Sequence, residues 1–260
     1  MDLKLKGKRA LITGASRGIG RAVADALGAE GCDLVLTSRT AADLDAAKAA
    51  IESRDGVSVR TVAADLSDSA TVSLLAAEFP AIDILVNNAG AIPGGRLTEV
   101  DEARWRAAWD LKVFGTINMT RAFYALMKAR GGGVIINVIG NAARTRDPEY
   151  ICGVTANAGL TAFTQSLGST SLHDGIRVNA VSPGPTATSR LVGLAGRKAQ
   201  ERFGDPERWP ELFSAMPGGR VGEPEEIAAM VAFLASPKSD YTSGAVVTLD
   251  AGVSSRGGAF

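Results

Sequence analysis

The sequence predicts an α/β fold, a parallel sheet with helices on both faces. Three features of the chain predict it: seven short apolar runs, helical stretches between them, and glycines gathered just after the runs. The runs are Ala10–Ile12, Leu34–Thr37, Val57–Val62, Ile82–Val86, Val134–Val138, Val178–Val181 and Val246–Leu249. Near-continuous apolar strands are those buried on both faces. Strand–helix–strand repeats give a parallel sheet with right-handed crossovers.

The intervening segments read as helices in turn. Arg21–Ala29 is alanine-rich and follows a glycine cluster, and Ala41–Ser53 sets Leu44, Ala47 and Ile51 on one face. Ser69–Phe79, Glu102–Lys128, Ala156–Leu172 and Pro224–Ala235 read the same way. The last has a proline at its first position, acids at the positive end of its dipole and a Ser236-Pro237 stop. Ser189–Gly219 has no obvious strand and reads as an irregular substrate loop inserted into a tight frame. There is no internal repeat, low-complexity tract or linker, so residues 1–260 read as one domain.

Composition narrows the function classes. Apolar residues are 46% of the 260, ample for a core. Lys+Arg and Asp+Glu are both 28, a balance unlike that of a protein held on nucleic acid or acidic lipid by charge. Cys32 and Cys152 are too few for a disulfide framework, and His173, the lone histidine, rules out a multi-histidine metal site. No apolar run approaches the roughly 20 residues of a membrane span, and no apolar signal segment follows the charged N-terminus. A cytoplasmic, reduced protein is expected.

The chemistry begins at the first strand. Ala10–Ile12 runs into Thr13-Gly14-Ala15-Ser16-Arg17-Gly18-Ile19-Gly20 and then a helix. Glycines let a pyrophosphate approach the backbone, and the helix N-terminus offers it free N–H groups and partial positive charge. This T-G-x-x-x-G-x-G run resembles that of the short-chain dehydrogenase/reductase family. The resemblance continues through Asp65, Asn87-Asn88-Ala89-Gly90, Asn179-Ala180-Val181-Ser182-Pro183-Gly184 and Val247-Thr248-Leu249-Asp250-Ala251-Gly252, in the family's order and over nearly the whole chain. It implies a Rossmann-type doubly wound domain with a seven-stranded parallel sheet, in a homotetramer or homodimer. The dimers would pair through Glu102–Lys128 and the helix from Ala156, with Val253–Phe260 near a second interface.

The end of the second strand should meet the adenosine ribose, where an acid selects NAD. Here the residues are Thr37-Ser38-Arg39-Thr40, with no acid. Arg39 can fork onto a 2′-phosphate, Ser38 can donate to it, and Arg17 adds a second positive charge, so NADP is expected. Solvated arginines are the alternative. Gly14, Ser16, Arg17, Gly18, Ile19 and Gly20 would cradle the phosphates. The resemblance places Asp65 and Leu66 by the adenine, and Asn88, Ala89 and Gly90 along the ribose and phosphates. It places Pro183, Gly184, Thr186 and Thr188 by the carboxamide.

The chemical centre departs from the family's pattern. The resemblance implies a Ser on the fifth strand, a Tyr thirteen residues later, a Lys four beyond it and an Asn on the preceding helix. In this chain those positions read Gly140, Gly153, Asn157 and Lys112. Ala158-Gly159-Leu160 matches the family's small-small-Leu and supports the register. A register with Tyr150 as the acid would give Val154 and Asn137 instead and misplaces the strand. Lys and Asn thus exchange places between two helices. Tyr150, three residues before the usual position, would share a helix face with it. One reading makes Tyr150 the acid, Lys112 the cation that lowers its pKa, and Asn157 a ribose or water ligand. Lys112 should then reach Asn157 or the ribose hydroxyls. The other reading has Tyr150 capping a helix and Lys112 filling a polar gap.

The expected function is NADP-dependent interconversion of a carbonyl and a secondary alcohol, with a non-standard proton donor. The alternatives are a catalytically inactive NADP-binding sensor or assembly protein, and an enzyme of another class on the same fold, such as a dehydratase or epimerase. Asn141, Arg144 and Arg146 follow the fifth strand and either suit an anionic substrate or stay solvated. His173 reads as the cap of a long helix, and Cys152 as a buried, inert thiol rather than a reactive one. Trp105 and Trp109 read as core or interface.

Overall fold

A computed structural model describes residues 1–255. Seven strands make one sheet: β1 (Arg9–Thr13), β2 (Asp33–Ser38), β3 (Val59–Ala63), β4 (Ile84–Asn87), β5 (Gly133–Val138), β6 (Ile176–Pro183) and β7 (Val246–Leu249). The spatial order is β3-β2-β1-β4-β5-β6-β7, and every pairing is parallel. The chain therefore winds one way from β1 and the other way from β4. Between these two strands the order reverses, and a crevice opens at their carboxyl ends.

Alternation along the strands divides the core. Ala10 and Ile12, with Leu34, Leu36, Ile84, Val86 and Ile136, face α1 (Gly18–Ala29), α2 (Ala41–Asp55) and α9 (Pro224–Ala235). Leu11, Val35, Leu85 and Ile135 face the other way, onto α3 (Ser69–Glu78) and α5 (Gly115–Ala129). Completely buried Phe123 of α5 is among the largest side chains there. Burying such a ring contributes about 2–3 kcal/mol. A third cluster sets Ala156 and Leu160 of α7 (Ile151–Gly168) against Ala108 of α4 (Glu102–Trp109).

Four elements differ from the sequence expectation. Glu102–Lys128 is α4, a π-helical turn over Asp110–Phe114, and then α5. Extra-wide turns of this kind recur at functional sites, and this one carries Lys112. The helix expected over Ala156–Leu172 starts five residues earlier and stops at Gly168. His173 consequently caps no long helix. It lies in a 3-10 turn, with its ring nitrogen 3.0 Å from the Thr170 carbonyl. Ser189–Gly219 is not irregular, since α8 (Ser189–Phe203) fills half of it and 3-10 turns follow. Its glycine-and-charge composition hides an amphipathic helix, capped by Thr188 and closed by Gly204. A short α6 (Ala142–Thr145) follows β5. Residues 256–260, within the tail expected near an interface, lie outside the described residues. No helix among the described residues is long and apolar enough to cross a membrane.

Candidate active site

The cleft opens where β1 and β4 diverge. Gly14 leaves β1 at φ +66, a left-handed conformation that favours glycine. The turn closes on itself. The Asn88 side-chain amide donates to the Thr13 and Gly14 carbonyls at 3.0 and 3.2 Å, and a Cβ on Gly20 would collide with both that amide and the Gly14 carbonyl. Asn88, expected along the coenzyme, thus spends its amide holding the turn. Thr13 Oγ1 accepts from the Asn88 and Ala89 amides, tying β1 to the end of β4.

Beyond the turn, α1 starts at Gly18 with no side chain capping it and no acid in its first turn. The starts of α3, α4 and α8 are closed instead by Asp68, Asp101 and Thr188. An uncapped N-terminus facing the crevice fits a pyrophosphate. Thr188 also sets its methyl 3.1 Å from where a Gly18 Cβ would stand, so α8 begins directly over the turn.

At the end of β2, Arg39 is exposed. Ser38 turns its hydroxyl back to accept from the Thr40 amide at 3.3 Å. The Asp65 carboxylate accepts from the Ser67 amide and hydroxyl, which, with the nearby Arg39 charge, holds its pKa below the usual range. Leu66 is buried in the core. A cleft of about 530 Å³ runs from Arg39 and Asp65 past Ile92 and Asp110 to Arg190. Pro183 ends β6, and Thr186 Oγ1 donates to the Gly184 carbonyl at 2.9 Å.

The chemical centre lies beside α7. Tyr150 is not on the helix as the spacing suggested. It precedes the first turn with φ −134 and ψ 35. Its ring nevertheless occupies the volume where a side chain at 153 would begin. A Cβ built on Gly153 would collide with the ring at its Cε1 and Cζ. The ring folds over position 153, which a glycine there permits. The segment is held from outside, with the Gly95 amide donating to the Glu149 carbonyl at 2.7 Å and Arg96 pairing with Glu149 at 2.9 Å.

Lys112 comes from the π-helical turn. Its stem crosses Gly90, whose Cβ would stand 3.1 Å from Lys112 Cδ. Its ammonium donates to the Ile139 carbonyl at 2.7 Å. The sequence expectation placed that ammonium on Asn157 or the ribose hydroxyls, whereas here the end of β5 takes it, one residue before Gly140. Asn157 is close by, its Nδ2 3.0 Å from a Cβ on Gly140. The Asn157 Oδ1 is buried and has no partner among the described residues.

The electrostatics also correct the expectation. Desolvation and the Arg190 charge push the Lys112 ammonium down to about 8. Burial raises the Tyr150 phenol above its ordinary value, and the cation that pulls it back is Arg190 rather than Lys112. Tyr150 therefore stays protonated at neutral pH, the state an acid needs. Burial likewise raises the Cys152 thiol, in keeping with an inert cysteine. Arg144 and Arg146 are exposed on or just after α6, with Arg144 reaching Thr248 Oγ1 at 3.4 Å. Arg190 was missed. The only sequence signal for it is its place two residues after Thr188.

A family model described as enoyl-(acyl carrier protein) reductase matches residues 14–254. The chain belongs to the short-chain dehydrogenase/reductase family. Galactitol 2-dehydrogenase (L-tagatose-forming) of Cereibacter sphaeroides is 38% identical over 255 residues, covering 96% of each chain. The 2-keto-3-deoxy-L-fuconate dehydrogenase of Xanthomonas campestris is 31% identical over 254 residues, 96% of this chain and 81% of that one. Among solved structures, L-sorbose reductase from Gluconobacter frateurii, in complex with NADPH and L-sorbose, superposes with a TM-score of 0.92. It is 31% identical and covers 98% of this chain and 100% of its own. This short-chain dehydrogenase/reductase shares the family's sheet order and crevice.

Proposed function

We propose that the protein is an NADP-dependent oxidoreductase that interconverts a small carbonyl compound and its secondary alcohol, with Tyr150 as the acid in reduction. The observation that carries this reading is the Tyr150 ring lying in the space above Gly153. A phenol there, protonated at neutral pH, can donate to a carbonyl oxygen in the crevice.

The nucleotide half supports NADP. The uncapped start of α1 suits a pyrophosphate, and Gly14, Ser16, Arg17, Gly18, Ile19 and Gly20 would form its cradle. Arg39, with Ser38 beside it, would take a 2′-phosphate. Asp65, Leu66, Ala89 and Gly90 would flank the adenosine and ribose, and Pro183, Gly184, Thr186 and Thr188 the carboxamide. When bound, the nicotinamide supplies the two-electron chemistry. Lys112, running across Gly90, would bond the nicotinamide ribose while its ammonium orders the end of β5. Asn157 would offer its free Oδ1 to a water or ribose hydroxyl.

The test is Tyr150→Phe, assayed with NADPH over a panel of ketones and with NADP over the alcohols, beside NADPH affinity measured by fluorescence. Turnover should fall by about 100- to 10,000-fold with affinity unchanged. Binding without turnover on any carbonyl, in both proteins, would favour the non-catalytic NADP-binding reading. Undiminished turnover would remove Tyr150 from the chemistry.

A further inference from the structure

We propose that Arg190 is the substrate-binding residue for a carboxylate, so that the substrate is a small oxo acid or the matching hydroxy acid. The inference rests on the oxidoreductase reading above and names the substrate class of that same site.

Arg190 stands in the first turn of α8, on the wall of the cleft shared with Ile92 and Asp110. Its Nη2 donates to the Ile92 carbonyl at 2.7 Å, which anchors one edge of the guanidinium. The other N–H groups have no partner among the described residues, and the side chain is exposed on the cleft side of the molecule. Its charge is felt by both chemical groups, lowering Lys112 and Tyr150 alike. Ile92, whose carbonyl holds the guanidinium, belongs to the apolar cluster against which Tyr150 packs.

The arginines of this chain divide between those paired with a carboxylate and those left without one. Arg54, Arg208 and Arg220 each close onto a carboxylate, Asp55, Glu211 and Glu226. None of the ion pairs among the described residues includes Arg190 or Lys112. Of the acids on the cleft wall, Asp65 is engaged by Ser67, and Asp110 makes no ion pair with either cation. A neutral substrate would desolvate the Arg190 guanidinium without offsetting its charge. A carboxylate would offset it, and a planar guanidinium already fixed along one edge presents the fork that carboxylates accept. The carbonyl of a short oxo acid held this way would lie toward Tyr150.

The experiment compares the wild type with Arg190→Met and Arg190→Lys on short 2-oxo and 3-oxo carboxylates and their methyl esters. The acids should be preferred over the esters by about 10- to 100-fold in kcat/KM, the effect of one charged hydrogen-bonded pair. Arg190→Met should abolish that preference, chiefly through KM, and leave the NADPH affinity unchanged. Arg190→Lys should restore part of it. A second readout needs no turnover. Malonate and succinate, but not their dimethyl esters, should perturb the fluorescence of bound NADPH in wild type and not in Arg190→Met.

Ester turnover with no preference for acids would overturn this inference and leave the oxidoreductase reading standing. Weakened NADPH binding in Arg190→Met would also overturn it, by giving the guanidinium to a coenzyme phosphate. Arg190-dependent malonate binding without turnover of any carbonyl would support the anion site and defeat the reading beneath it.

Discussion

At the ends of β1 and β4 the cleft is shaped by main chain, whereas at the end of β5 it is shaped by side chains. In the first region Gly14, Gly20 and Asn88 pack against one another so tightly that a Cβ on Gly20 collides with its neighbours. Those residues satisfy the fold before any coenzyme arrives. In the second, Lys112 comes from the π-helical turn, and Tyr150 and Asn157 from the start and the second turn of α7. Features required by backbone packing stay where the fold puts them, whereas a proton donor has only to bring one atom to one place and can be supplied from a different residue.

That contrast is open to breaking. The largest effect should come from Gly153→Ala, because a methyl group there displaces the Tyr150 ring without touching the nucleotide end. Turnover should drop about 100-fold or more, with NADPH affinity intact and a change in Tm of only a few degrees. Full activity in that variant would mean the ring's placement has no role.

Next in size is coenzyme choice. Arg39→Ala should reduce the preference for NADPH over NADH by about 10- to 100-fold, the worth of a charged hydrogen bond. An unchanged ratio would assign the 2′-phosphate to Arg17 or to solvent.

The smallest effects concern Lys112. Its ammonium titrates near 8 in the folded chain, against an ordinary value of 10.5. The unfolded chain therefore binds the extra proton between these values, and stability rises with pH across that window. Below pH 8 the charged lysine is a cost to folding. Lys112→Met should accordingly raise Tm at pH 7 by about 2–4 °C, and the gain should fade toward pH 10.5. A gain constant across pH would point to packing rather than charge. In the wild type, an alkaline fall in activity centred near pH 8 should vanish in the same variant.

Much of this molecule was legible in its sequence. Apolar runs marked all seven strands, because strands covered on both faces have little room for polar side chains. The glycine turn was legible for a related reason, since close main-chain approach excludes other residues. What stayed hidden depended on direction rather than identity. Nothing in the letters around Lys112 announces a π-helical turn. Nothing in Tyr150-Ile151-Cys152-Gly153 shows that the first residue bends over the fourth. Arg190 looked like one more arginine in a charged loop, and its meaning came only from the Ile92 carbonyl and from its two ionisable neighbours.

The shared volume above Gly153 carries a historical consequence. A side chain at 153 and the Tyr150 ring as it now lies claim the same space, so one must turn away for the other to stay. Moving the phenol from one position to the other by single replacements passes through a step that has two rings or none. Such a rearrangement resists reversal, and descendants of this chain should keep the displaced phenol and the bare glycine together or lose both.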